Sequence, residues 1–128
     1  MKTAILISQN SDEWIDLEKE LSKSKELRLY VYSDVLELVE FLLNRFCDLV
    51  ILDVDMFKEK TVQLVRLINR LHSNVRVILL SDQENMSYCS AALSYGVMSY
   101  QIKPITPYSL IHLISNSIQL KTKSKEDL

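Results

Sequence analysis

Five short apolar runs punctuate the chain, and between them apolar residues recur at helical spacing. The first run, Thr3-Ala-Ile-Leu-Ile7, suits a buried strand. The stretch ILISQNSDE at 5–13 then breaks from apolar into polar side chains, the transition expected where a strand hands over to a helix. Ser11 is placed to cap that helix, with Asp12 and Glu13 in the first turn, where the helix dipole favours negative charge. Trp14, Leu17 and Leu21 recur on one face of it. Leu27-Arg-Leu-Tyr-Val31 alternates apolar and polar, as a half-exposed edge strand does. Ser33 is then expected to cap a second helix, with Val35, Leu38, Val39 and Leu42 at i, i+3, i+4 and i+7.

Leu49-Val-Ile-Leu52 is apolar throughout, the pattern of a central strand covered on both faces, and it ends at Asp53. A third helix is expected from about Thr61 to Leu71, with Val62, Leu64, Val65 and Ile68 turned inward. Val75-Arg-Val-Ile-Leu-Leu80 is the next central strand, ending at Ser81-Asp82. Glu84 to Tyr95 reads as a weaker helix, stopped by Gly96 where left-handed geometry is needed. Met98 to Ile102 makes a last strand before Lys103-Pro104. Thr106-Pro107 is a strong helix start, a cap followed by proline at the first position, and the helix is expected to run to about Leu120. One domain over residues 1–120 is therefore expected, with the charged KTKSKEDL at 121–128 as a tail or the start of a linker.

Five strands alternating with five helices imply a parallel sheet covered on both sides. The edge-like second run and the apolar third and fourth runs give the order 2-1-3-4-5, a doubly wound α/β fold. Right-handed crossovers put every strand's carboxyl end on one edge, where ligands bind in such sheets. Gln9, Asn10, Asp53, Ser81, Asp82 and Lys103 all fall on that edge.

Composition removes several alternatives. A chain of 128 residues, 48% hydrophobic and 25% charged, has the balance of a soluble globular domain that needs no staple. Its net charge of −2, with no basic cluster on one element, gives no electrostatic support for nucleic-acid binding. No apolar stretch is long enough to span a bilayer and no signal-peptide pattern precedes the first strand, so no membrane association and a cytoplasmic location are expected. Cys47 and Cys89 lack CxxC spacing and read as reduced, buried small hydrophobes. His72 and His112 have no ligand-spaced partner for zinc. The single glycine, Gly96, excludes glycine-rich phosphate loops, which need at least two.

With those residues in place, the chain resembles the receiver domain of response regulators, the CheY-like, flavodoxin-like family of two-component signalling. LVILDVDM resembles the phosphoacceptor strand and implies Asp53 as the acceptor. VRVILLS implies Ser81 as the hydroxyl residue that follows the phosphoryl group. YQIKP resembles the last strand, implying Lys103 as the phosphoryl-contacting lysine and Tyr100 as the aromatic switch residue. The resemblance also implies a Mg²⁺ cofactor held by Asp53, by the carbonyl of Asp55 and by the residues at Gln9 and Asn10.

The departures bear on function. The family places two acidic residues where this chain has Gln9 and Asn10; Met56-Phe57 replaces a common Met-Pro, and Thr61 stands where glycine is common. A carboxylate attacking a phosphoryl group needs a cation between the two anions, and Mg²⁺ prefers charged oxygen ligands. Each missing charge is worth up to ~4 kcal/mol at about 4 Å and an effective dielectric near 20. Weak Mg²⁺ affinity is therefore expected.

Three functions remain open on the sequence. The first is an atypical receiver acting as a protein-interaction switch, not an enzyme, with weak or absent Mg²⁺-dependent phosphorylation. The second is a conventional receiver phosphorylated at Asp53 by a sensor histidine kinase. The third, disfavoured by the missing glycine loops and base–nucleophile pairs, is a flavodoxin-like small enzyme or nucleotide binder. Tyr88, Tyr95, Tyr100 and Tyr108 cluster near the fourth helix, fifth strand and fifth helix, a candidate surface for a signalling partner or a homodimer.

Overall fold

The two faces of one sheet divide the apolar residues of the strands between them. The structure, a computed structural model, describes residues 1–118. Its strands β1 (Lys2–Ile7), β2 (Leu27–Tyr32), β3 (Leu49–Asp53), β4 (Arg76–Ser81) and β5 (Val97–Ile102) pair in parallel, in the order β2-β1-β3-β4-β5. That is the expected topology, with β2 half-exposed at one edge and β3 buried along its whole length.

Ile5, Ile7, Val50, Leu52, Val77 and Leu79 point to one side. There they meet α2 (Val35–Asn44), α3 (Thr61–Leu71) and α4 (Met86–Ala92) through Leu38, Leu42, Val65, Ile68, Cys89 and Ala92. Ala4, Leu6, Leu49, Ile51, Ile78 and Leu80 point to the other side, against α1 (Ile15–Ser22) and α5 (Pro107–Ser117) through Leu17, Leu21, Leu110 and Ile114. Each fully buried aliphatic chain contributes roughly 1.5–3 kcal/mol of transfer free energy. The two clusters therefore fix the register of every strand, because a one-residue slip would exchange the faces.

Helix boundaries follow local chemistry, and two differ from expectation. A 3-10 turn (Ser11–Trp14) precedes α1, and Asn10, not Ser11, stands in its cap position without a side-chain cap bond. In α2 the cap is Asp34, whose carboxylate accepts the Leu36 N–H at 2.9 Å, so Ser33 lies one residue outside. An acceptor two residues before the bare N–H does the work of a cap, and aspartate serves it as well as serine. Thr106 caps α5 as expected, accepting from the Ser109 N–H at 3.0 Å with Pro107 behind it. Gly96 ends the α4 segment at φ 90, and the Lys103–Pro104 peptide is cis. The described part of α5 stops at Ser117; the expected continuation to Leu120 and the tail at 121–128 lie outside the described residues.

A single helical turn, Val54–Phe57, follows β3 directly and turns Asp55 back over the sheet edge. Lys58, next in line, adopts φ 47. Thr61, at the position where the sequence departs from glycine, is fully buried, and its hydroxyl has no partner among the described residues. No described helix is long and apolar enough to cross a membrane.

Candidate functional site

Parallel pairing places Asp53 beside Leu80, and Ser81 beside Ile102, so the ends of β3, β4 and β5 converge. They frame a cleft of about 420 Å³ that includes Gln9, Asn10, Asp53, Asp55, Asp82 and Lys103. Asp53 is nearly buried at its floor. Its Oδ1 accepts from Lys103 Nζ at 2.8 Å and from the Asp55 N–H at 3.1 Å, the second bond capping the helical turn. Its Oδ2 accepts from the Ser8 hydroxyl at 3.0 Å. That hydroxyl accepts in turn from the Asn10 N–H at 3.2 Å, so the loop after β1 is tied to Asp53 through Ser8.

Asp55 enters the site by its carboxylate, where the sequence implied only its carbonyl. Oδ2 accepts from Lys103 Nζ at 2.9 Å and Oδ1 from the Asn85 amide at 2.7 Å. Both oxygens also face the Asp82 N–H, at 3.0 and 3.1 Å. Lys103 thus forms two ion pairs from one ammonium, half-shielded from water. Burial alone would lower the Lys103 pKa, but its hydrogen bonds and charges with Asp53 and Asp55 raise it. Asp82, exposed at the cleft rim, is raised by its hydrogen bond with Asp55, by desolvation and by the Asp55 charge.

The other expected site residues make no side-chain hydrogen bond to Asp53. Ser81 is fully buried and its hydroxyl donates to the Asp82 carbonyl at 2.6 Å. Tyr100, on β5, is half-buried against the core on the α2–α3–α4 side. The Gln9 and Asn10 side chains are exposed neutral amides at the cleft mouth. Ser8 and Asn85 had no place in the sequence reading, although Ser8 stands immediately beyond β1 with the geometry of a strand-end hydroxyl.

A divalent cation at this edge would need free carboxylate oxygens. All four oxygens of Asp53 and Asp55 already accept a hydrogen bond and the Lys103 ammonium pairs with both groups, so a cation there would compete with these donors. Among the described residues, no three His, Cys, Asp or Glu side chains gather in a way that would hold a metal ion. The donor set, two carboxylates paired with one ammonium and two neutral amides, offers Mg²⁺ less negative charge than a cluster of free carboxylates would.

Comparison with known proteins identifies the family and the fold. Residues 5–115 match the response regulator receiver domain, and the chain belongs to that family. Over 102 residues it is 30% identical to the cyclic di-GMP phosphodiesterase response regulator RpfG of Xanthomonas campestris pv. campestris, covering 78% of this chain and 27% of that protein. The chain thus spans about a quarter of that relative's length. A two-component response regulator from Clostridium difficile superposes with a TM-score of 0.78 at 15% identity, over 93% of this chain and 97% of the other. A receiver domain from Clostridium thermocellum gives 0.77 at 24% identity, over 93% and 95%. At those identities the likeness shows the fold, which is the CheY-like, flavodoxin-like one.

Proposed function

We propose that this receiver domain is an atypical one: a cytoplasmic protein-interaction switch, not an enzyme, in which Mg²⁺-dependent phosphorylation of Asp53 is weak or absent. The observation that carries this reading is the self-neutralised cleft. Its single ammonium serves both carboxylates, and its metal-facing positions are the amides Gln9 and Asn10. A cation entering there must displace Lys103 and gains no charge from either amide.

Partner recognition is assigned to the face formed by α4, β5 and α5. Met98 on β5 and Tyr108 on α5 are exposed by 51% and 72%, and Tyr95, in the turn after α4 with Arg66 of α3 over its ring, by 41%. Tyrosine and methionine at this exposure suit a binding surface, for a histidine kinase, another signalling protein or a second copy of the chain. Neither this segment's charge nor its motifs favour nucleic acid. A conventional phosphoacceptor remains the second reading, because the Asp53–Lys103 pair at 2.8 Å is the arrangement that reading also needs.

Mg²⁺ titration tests the first reading. Trp14 lines the cleft and its fluorescence reports on it. Wild type is expected to bind Mg²⁺ at least about a hundredfold more weakly than Gln9→Asp/Asn10→Asp, which regains two charges at the cation. Equal affinities would show that the amide pair does not limit the site.

A further inference from the structure

Four contacts from three donor groups on two segments converge on the Asp55 carboxylate. They come from the Lys103 ammonium after β5, and from the Asp82 N–H and Asn85 amide after β4. Of these donors, the Lys103 ammonium also holds Asp53: its Nζ is 2.8 Å from Asp53 Oδ1 and 2.9 Å from Asp55 Oδ2. We propose that Asp55 is an internal occupant of the oxyanion site beside Asp53, fastening the loop between β4 and α4 without a phosphoryl group.

Three observations support it. The Asp82 N–H faces both Asp55 oxygens, so this donor is committed to that carboxylate and is not free for an incoming oxyanion. The Asn85 side chain, nine-tenths buried, reaches Oδ1 at 2.7 Å and anchors the far end of the same loop. The charge is also balanced against a second anion, since one ammonium already answers two carboxylates and a phosphoryl group on Asp53 would stand among like charges. The Ser81 hydroxyl is turned to the Asp82 carbonyl of the tethered loop, which leaves it no free approach to Asp53 in this arrangement.

The inference rests on the reading of weak phosphorylation and adds a cause separate from the Gln9 and Asn10 amides. Its test uses the reaction that the site would perform. A carboxylate oxygen of Asp53 attacks the phosphorus of acetyl phosphate, the phosphorus–oxygen bond to the acetyl group breaks, and acetate leaves. Labelling is followed by intact-mass spectrometry in buffer containing Mg²⁺, for wild type, Asp55→Ala, Asp55→Asn and Gln9→Asp/Asn10→Asp. Hydrogen–deuterium exchange over residues 82–86 reads the loop in the same proteins.

Both Asp55 variants are expected to label at least about tenfold faster than wild type, because a competing anion has gone and Lys103 is released. Their loop should exchange faster before labelling and regain protection after it. Asp55→Asn keeps the side-chain shape and decides the matter if Asp55→Ala does not fold. Asp55 variants that label at the wild-type rate, with unchanged loop exchange, would overturn the proposal. A faster Gln9→Asp/Asn10→Asp protein would then leave the amide-based reading standing, whereas wild type labelling as fast as every variant would remove both.

Discussion

Burial pushes the Asp55 carboxyl up, but hydrogen bonds from Lys103, Asn85 and the Asp82 N–H, with the Lys103 charge, outweigh it and hold the pKa down to about 2. A folded value below the ordinary 3.8 means that ionised Asp55 favours the folded state. This contribution is fully present above about pH 4 and is lost as the pH falls through that value towards about 2. Asp82, raised instead, acts in the opposite sense and offsets part of the loss. The stabilising share of Lys103, whose pKa is raised, persists below its ordinary 10.5 and disappears only as the pH climbs through the higher folded value. Thermal unfolding across an acid series checks this. The melting-temperature advantage of wild type over Asp55→Asn should shrink steadily between about pH 4 and pH 2, and an advantage that stays constant there would contradict the assignment.

The turn joining β3 to α3 carries the clearest strain of any element. Lys58 at φ 47 and ψ −118 occupies backbone space that a Cβ disfavours. Such strain costs of order 1–3 kcal/mol, against about 0.5–1 kcal/mol for the extra freedom glycine brings to the unfolded chain. Lys58→Gly should therefore raise stability by about 1 kcal/mol, read as a higher urea midpoint at unchanged slope. An unchanged or lower midpoint would show that the Lys58 conformation is not strained. This element was also the least legible in the sequence. VDMF between β3 and α3 has no helical periodicity to display in four residues, and the Asp53 side chain that caps it was spoken for by another role. The cap of α2 was displaced by one residue for a related reason: Ser33 is followed by Asp34, a second residue able to cap, and only backbone geometry chooses between them.

At the scale of the whole molecule, periodicity carried most of the fold. An apolar β3 and an alternating β2 were enough to order the sheet, because burial on both faces leaves a strand no polar positions. Asp53 and Lys103 were legible as a pair for the same reason, since parallel strands deliver their ends to one edge. Asp55, Ser8 and Asn85 were not, because which side chain crosses between loops depends on turn geometry that spacing does not encode. The same sheet edge leads to the partner face, through β5, which carries Lys103 at its end and Met98 and Tyr100 along its length. A partner shifts the balance of two arrangements only by binding one of them better, so the proposed function requires contacts on that face, and not phosphate, to set the balance. Sedimentation equilibrium of wild type, Tyr95→Ala, Tyr100→Ala, Tyr108→Ala and Asp53→Asn tests this most directly. The account predicts that the tyrosine variants weaken self-association while Asp53→Asn leaves it nearly unchanged; loss of association in Asp53→Asn, with the tyrosine variants behaving as wild type, would contradict it.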